Sequence, residues 1–216
     1  MDIQACEREL KKRWRYPYTW GRRQNDAFDR QTRFVYGIFA FDEVEAEVRR
    51  RFEGQAEFQA YFDYALNRWY NFWSARAVEE IFCAQTGVEP ARNQRDRLVD
   101  FTLRGIRFDH KSSVFPKQWE RGLSASVNHP RALIEWLYRH QSRQQRQHYA
   151  NRLFLVLYDG AGEHWQLKAE INGLRSVIRD YVAAFDPARL HRFDFGGDEE
   201  TVSDIIWAIR CGRGGR

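Results

Sequence analysis

Two aspartates, Asp100 and Asp109, lie inside alternating apolar patterns in LVDFTLRGIRFDHKSS, residues 98–113, where two β-strands are predicted. Between the strands, Arg104-Gly105 predicts a two-residue hairpin turn in which the glycine supplies a positive φ. That turn puts Asp100 directly across from Asp109, and Lys111 projects from the same face two residues further on. The opposite face is predicted to pack in the core through Val99, Phe101, Leu103, Ile106 and Phe108.

Directly opposed strand residues have Cβ atoms only about 4.5–5.5 Å apart, so two carboxylates in this arrangement repel each other. A raised pKa, Lys111 as counterion or a divalent cation would compensate for the repulsion. A cation such as Mg²⁺ needs only one or two carboxylates and leaves room for a phosphate oxygen and an attacking water. Lys111 would then orient the nucleophile and neutralise charge in the transition state. The His110 side chain points to the other face, so we expect its backbone carbonyl to be the ligand.

The spacing of Asp100, Asp109 and Lys111, D-x(8)-D-H-K, resembles the PD-(D/E)xK phosphodiesterase superfamily of restriction-endonuclease-like nucleases. The resemblance implies that Asp100 is the first acid, Asp109 the second and Lys111 the motif lysine. It also implies a Mg²⁺- or Mn²⁺-dependent nuclease that acts on DNA in preference to RNA, as an endonuclease rather than an exonuclease. The sequence departs from the family pattern at Val99, which stands where the motif proline is expected.

Several branches of this superfamily carry a further acid on the helix that precedes the two strands, and Glu79 and Glu80 are the candidates here. Glu79 lies closer to the inward face of that helix, so it is the predicted third acid, and Glu80 stays open. The inward face is defined by Val78, Ile81 and Phe82. The resemblance extends over residues 67–113 and, in the order of elements only, over 130–159.

A later helix offers further candidates for nucleic-acid contact. Gln145 and Tyr149 fit a Q-x-x-x-Y pattern found in RecB-like branches, with Gln141 as an equal alternative. Arg139, Arg143 and Arg146 share one side of this helix, which would line a phosphate groove or form a solvated face. The run DHKSSVFP, from Asp109 onward, resembles a strand end common in the superfamily. The residues expected to contact nucleic acid are Arg107, Ser112, Ser113, Gln141, Arg143 and Gln145.

The composition fits a polyanion partner without requiring one. The 216-residue chain has a net charge of +5, and only five of its 35 basic residues are lysines. Arginine binds phosphate through two N–H groups and stacks on bases, although GC-rich coding produces the same excess of arginine over lysine. The segment KKRWRYPYTWGRR, residues 11–23, mixes basic and aromatic side chains as a nucleic-acid surface does, but its aromatic residues would equally pack on a core.

Targeting and cysteine patterns favour a soluble cytoplasmic protein. Three widely spaced cysteines show neither a disulfide framework nor zinc-ligand spacing. The N-terminal stretch is charged, and no apolar run approaches the roughly 20 residues of a membrane span, so no membrane association is expected.

The predicted fold is α/β, with a mixed central sheet flanked by helices, a restriction-endonuclease-like core and a helical N-terminal extension. We expect residues 1–66 to form the extension packed on the core, 67–210 the core and 211–216 a flexible basic tail. Helices are predicted at 2–15, 43–52, 55–66, 67–87, 130–149 and 164–185, and strands at 97–103, 106–113, 151–159, 190–197 and 201–210.

Three readings other than catalysis stay open. Asp100 and Asp109 would be ordinary solvent-facing residues if Lys111 merely pairs with one of them. A nuclease-like fold could also bind nucleic acid or a protein without cutting. The helical first half would suit an interface, so a homodimer or a protein partner is the further alternative.

Overall fold

The computed structural model describes residues 1–19, 27–91, 99–140, 149–196 and 200–211. Within these ranges the α-helices are α1 Ile3–Lys12, α2 Ala27–Gln31, α3 Phe41–Phe52, α4 Phe58–Cys83, α5 Leu123–Asn128, α6 Pro130–His140 and α7 Ile171–Ala183. The strands are β1 Val88–Pro90, β2 Phe101–Leu103, β3 Ile106–Val114, β4 Arg152–Asp159, β5 His191–Phe193 and β6 Thr201–Arg210. Short 3-10 helices lie at Arg13–Arg15, Arg33–Gly37, His164–Ala169 and Pro187–Arg189.

One compact unit comprises residues 1–78 together with 168–172. Asp2 caps α1 by accepting the peptide N–H groups of Gln4 and Ala5, which the first turn of a helix leaves without partners. This unit also buries a whole arginine, Arg13, whose guanidinium donates to the Asn67 side chain at 2.6 Å and to two main-chain carbonyls. These hydrogen bonds offset part of the cost of burying the charge.

The second unit, residues 79–167 with 173–216, contains the sheet. Its strand order is β1-β2-β3-β4-β6-β5. The central strands β3, β4 and β6 run parallel, and the remaining neighbours pair antiparallel. The predicted mixed sheet with flanking helices and a helical N-terminal region is confirmed.

Helices cover both faces of the parallel strands. On one face, α6 packs against alternate residues of β4 and β6, including Phe154, Val156 and Ile205. On the other face, the Tyr181 hydroxyl of α7 donates to Asp204 of β6 at 2.9 Å. The five residues from Leu153 to Leu157 are fully buried, as expected of a parallel strand covered on both sides.

Several predicted element boundaries differ from the structure. The helices predicted at 55–66 and 67–87 form one continuous helix, α4, which ends at Cys83. The strand predicted at 97–103 is regular only over Phe101–Leu103, and residues 92–98 lie outside the described ones. The short elements β1, α2 and α5 were not predicted from the sequence.

The predicted division at residue 66 stays a prediction, and most of the basic tail, 212–216, lies outside the described residues. Among the described helices, none is both long enough and apolar enough to span a bilayer.

Candidate functional site

The hairpin that carries the acids turns at Arg104 and Gly105, whose φ values are 45° and 84°. Two positive φ angles are typical of a type I′ turn, whose twist matches that of the flanking strands. Arg104 adopts this conformation with its guanidinium donating to the Phe185 carbonyl at 2.8 Å. Thr102 faces Arg107 in the ladder, so the predicted turn and register are confirmed here.

Asp100 lies one residue before β2 and leaves the regular ladder. Its peptide N–H donates to the Phe108 carbonyl at 2.8 Å, although Phe108 is the registered partner of Phe101. Two residues of one strand then oppose a single residue of the other, as in a β-bulge, which re-aims side chains. The expected direct pairing of Asp100 with Asp109 is therefore wrong, because the bulge shifts Asp100 along the partner strand.

The bulge directs the Asp100 carboxylate to His110. Oδ2 accepts the His110 peptide N–H at 2.7 Å and lies 2.6 Å from the ring atom Nδ1. The ring is only 7% exposed and lies 6.0 Å from the Phe82 ring and 6.4 Å from the Phe101 ring, measured between centroids. His110 therefore fixes one oxygen of Asp100 from two directions.

The main chain of His110 faces the edge of β3 where Asp100 lies. The peptide N–H of Asp109 donates to the Asn151 carbonyl on the β4 side at 2.9 Å. Because successive peptide groups of a strand alternate between its two edges, the N–H and C=O of His110 point away from β4. The carbonyl predicted as a ligand thus lies on the Asp100 side of the strand.

Asp109 pairs with an arginine that the sequence analysis did not single out. Arg152 is the registered neighbour of Asp109 on β4, and its Nε and Nη2 each lie 2.6 Å from Oδ2 of Asp109. The two side chains are only 14% and 17% exposed. The guanidinium carbon also lies 5.3 Å from the centre of the Tyr138 ring and 5.7 Å from that of Phe154.

The pKa values of the two carboxyl groups are shifted in opposite directions. Burial raises the pKa of Asp109, the charge of Asp100 adds to that rise, and Arg152 and Lys111 only partly offset it. Burial also acts to raise the pKa of Asp100, but hydrogen bonds from His110 and from Asp109 hold it below its usual value. Proximity of two acids thus makes the protonated form of Asp109 easier to populate beside an ionised Asp100.

Lys111 is exposed on β3, two residues beyond Asp109 and therefore on the same side of the strand. Its positive charge lowers the pKa of Asp109, which indicates that the ammonium group lies close to that carboxylate. Asp109 and Lys111 thus lie on one side of β3, and the role of Lys111 stays a prediction.

The last turn of α4 lies near Asp100. Burial raises the pKa of the Cys83 thiol to about 11, and the charges of Glu79, Asp100 and Glu80 add to this rise. The charges of both helix acids and of Asp100 thus act together on one thiol at the end of α4. Glu79 and Glu80 are both half-buried, so the choice of Glu79 stays a prediction.

The other predicted contacts are placed only in part. Arg107 is exposed opposite Thr102, and Ser113 is buried. The Ser112 hydroxyl is buried and makes no hydrogen bond within the described part of the chain. Gln141, Arg143 and Gln145, together with Arg146, lie outside the described residues.

The oxygen donors near Asp100 fit a hard divalent cation. Within the described ranges, no three His, Cys, Asp or Glu side chains form a metal-binding group. Mg²⁺, however, is commonly held by one or two carboxylates with water completing its shell. Asp100, Asp109 and the His110 carbonyl supply ligands of that kind, and the unfavourable proximity of the two acids is what a cation relieves.

Arg152, the His110 ring and Cys83 are the neighbours that the sequence analysis missed. Arg152 begins a buried apolar strand, NRLFLVLYD, and a charge at that point is a weak signal by itself. Only the parallel register of β3 and β4 brings it to Asp109, and that register links residues 43 positions apart.

Comparison with known proteins does not assign the chain to a family, because no family model, curated protein or solved structure matches it.

Proposed function

We propose that the protein is a metal-dependent nuclease that hydrolyses phosphodiester bonds, with DNA as the favoured substrate. The observation that carries this proposal is the close approach of Asp100 and Asp109 beside Lys111 on one hairpin, with Asp109 holding a raised pKa. Two crowded acids next to an ammonium group are a costly arrangement for stability alone, and such arrangements concentrate at functional sites.

Each residue of the site would have its own role in phosphodiester hydrolysis. Asp100 and Asp109 would hold Mg²⁺ or Mn²⁺, with the His110 carbonyl and Glu79 as further ligands. The bound cation supplies Lewis-acid polarisation of the phosphate and lowers the pKa of a bound water. Lys111 orients the water and stabilises the negative charge that grows on the phosphate oxygens.

The reaction is a hydrolysis without a covalent enzyme intermediate. A bond forms between the water oxygen and phosphorus, and the bond from phosphorus to the leaving ester oxygen breaks. The water gives up one proton, and the leaving oxygen takes up one proton from solvent. No oxidant or other co-substrate is needed for this balance.

A non-catalytic binding module is the second candidate. The observation that favours it is that both acids already have partners inside the protein, Asp100 with His110 and Asp109 with Arg152. Such a module would use its arginines for phosphate contacts and would leave the nucleic acid intact. The two candidates differ in whether a divalent cation produces cleavage.

The deciding experiment incubates the full chain with supercoiled plasmid, circular single-stranded DNA and RNA, in Mg²⁺, Mn²⁺ or EDTA. We expect metal-dependent cleavage that is lost in Asp109→Ala and Lys111→Ala. Asp180→Asn is the matched control for the acid, because the Asp180 side chain is 67% exposed on α7 in a surface ion pair. Cleavage that survives EDTA and both substitutions contradicts the mechanism, and binding without cleavage in every metal supports the binding module.

A further inference from the structure

The guanidinium of Arg152 already contacts the Asp109 carboxylate that a divalent cation would also need as a ligand. Its Nε and Nη2 converge on the same carboxylate oxygen, Oδ2, at 2.6 Å each. A carboxylate oxygen with two charged donors at that distance has little remaining capacity for a metal ion. Arg152 and a cation at Asp109 therefore compete for the same negative charge.

The surroundings of Arg152 permit its guanidinium to change partner. Tyr138 and Phe154 present ring faces to the guanidinium, and such contacts are attractive without fixing any single N–H direction. Of the five N–H groups of the fork, only those on Nε and Nη2 contact a carboxylate within the described ranges. The remaining donors are suited to a second anion, because the planar fork matches the oxygens of a phosphate.

Two cations flank Asp109, Arg152 across the sheet and Lys111 along β3. Together with Asp100 and Asp109 they make two acids and two cations, so a bound divalent cation would leave the site with excess positive charge. An incoming anion would supply the negative charge that offsets this excess. A phosphodiester brings that charge to the position between the two side chains.

We propose that Arg152 exchanges partners during the reaction, holding Asp109 in the metal-free protein and binding the substrate phosphate once a cation takes over Asp109. This inference rests on the proposed function of the same site. Arg152 would then weaken metal binding in the free protein and bind the phosphate of the substrate. Loading of the metal and of the nucleic acid would then be cooperative, because the phosphate draws Arg152 away from the metal's ligand.

The test measures Mn²⁺ affinity of the EDTA-treated, dialysed protein by electron paramagnetic resonance of free Mn²⁺. Arg152→Gln is expected to bind Mn²⁺ roughly 10-fold more tightly than the wild type, because the competing cation is gone. The same variant is expected to cleave DNA about 10²-fold more slowly in saturating Mn²⁺, because the phosphate loses its anchor. A residue with a merely structural role would weaken both properties together.

Two further variants control this measurement. Arg152→Lys keeps a competing charge without the fork, so its Mn²⁺ affinity should stay near wild type while cleavage remains reduced. Arg210→Gln removes an arginine from the ion pair with Asp159 and should leave Mn²⁺ affinity unchanged.

The outcomes separate the two proposals. Equal or weaker Mn²⁺ binding by Arg152→Gln overturns the exchange even if the wild type cleaves DNA. Tighter Mn²⁺ binding by this variant, with no cleavage by the wild type, supports the competition at Asp109 and overturns the nuclease. Absence of Mn²⁺ binding in the wild type and in every variant overturns both.

Discussion

The two ends of β4 each carry an aspartate–arginine pair, and the two pairs are built differently. At the amino end, Arg152 donates to Asp109 of β3. At the carboxyl end, Asp159 accepts from Arg210 of β6 through Nε at 3.1 Å and Nη2 at 3.2 Å. Both aspartates are largely buried, yet one pKa is raised and the other is lowered.

At the carboxyl end of β4, both carboxylate oxygens of Asp159 have hydrogen-bond donors. Each oxygen of Asp159 receives its own arginine donor, and Oδ2 also accepts the peptide N–H of Glu163 at 3.1 Å. The peptide N–H of Asp159 donates in turn to Nδ1 of His164 at 2.8 Å. The hydrogen bonds from Arg210 lower the pKa of Asp159 and outweigh its burial, so the ionised form stabilises the fold.

The amino end has the same pair with a second acid beside it. Both arginine donors converge on one oxygen of Asp109, and Asp100 lies close enough to raise the pKa of Asp109. Burial is the largest cause of the raised pKa of Asp109, and the charge of Asp100 adds to it, whereas at Asp159 the hydrogen bonds from Arg210 outweigh burial. The added carboxylate makes the amino end unfavourable for stability and suitable for a cation.

The largest expected effect is a loss of activity at the amino end without a loss of stability. Asp109→Asn should reduce DNA cleavage roughly 10³-fold, because a neutral amide is a poor cation ligand. Its free energy of unfolding should change by less than about 1 kcal/mol, because the raised pKa means that folding already disfavours the ionised carboxylate. Cleavage rates and urea unfolding of the same preparation check both parts. If Asp109→Asn still cleaved DNA, or lost as much stability as Asp159→Asn, the proposed difference between the two ends of β4 would be contradicted.

A smaller loss of activity is expected from the helix that ends near Asp100. Glu79→Gln should slow cleavage about 10- to 100-fold if this acid completes the metal shell. Glu80→Gln is the matched variant on the same helix turn and should change the rate less than about 3-fold. The comparison uses single-turnover cleavage in Mg²⁺. If Glu80→Gln slowed cleavage more than Glu79→Gln, the role would belong to Glu80. If neither substitution slowed cleavage, α4 would not be part of the site.

The carboxyl end should show the opposite behaviour to the amino end. Asp159→Asn is expected to lower the free energy of unfolding by about 2 kcal/mol, because Arg210 and the Glu163 N–H lose a charged acceptor. Cleavage by the folded variant should be unchanged. Chemical unfolding at neutral pH measures the first effect and the plasmid assay the second. Lost cleavage in a folded Asp159→Asn would show that the two ends are not independent.

The smallest expected effect is a difference in the pH dependence of stability, measured in EDTA. Asp159 has a lowered pKa, so its stabilising contribution is present above the usual aspartate pKa of about 4 and is lost as the pH falls. Asp109 has a raised pKa, so the stability tied to its protonated form is lost as the pH rises from about 4. The stability difference between wild type and Asp159→Asn should therefore grow with pH, and that between wild type and Asp109→Asn should shrink. If both stability differences changed with pH in the same direction, the opposite pKa shifts of Asp109 and Asp159 would be contradicted.

Local chemistry made part of this site predictable from the sequence. Arg104-Gly105 specifies a tight hairpin turn, and the alternation on either side of it buries Phe101, Leu103 and Phe108 as predicted. Val99 and Ile106, which were predicted for the same core face, are only half-buried. The turn alone therefore brings both acids to one hairpin.

Features that depend on distant residues were not predictable. The β-bulge at Asp100 has no local sequence signature, and the ring of His110 finds its partner only because of that bulge. Arg152 reaches Asp109 through a parallel register between strands that are separated by the two helices α5 and α6, and the sequence pattern did not specify that register.

The most direct test of the central claim is an anomalous-diffraction experiment on crystals of the full chain soaked in Mn²⁺. We expect a Mn²⁺ peak between Asp100 and Asp109, with an oxygen of each carboxylate at roughly 2.0–2.2 Å, near the distance typical of Mg²⁺ sites. A peak elsewhere, or none between these two carboxylates at a Mn²⁺ concentration that supports cleavage, would contradict it.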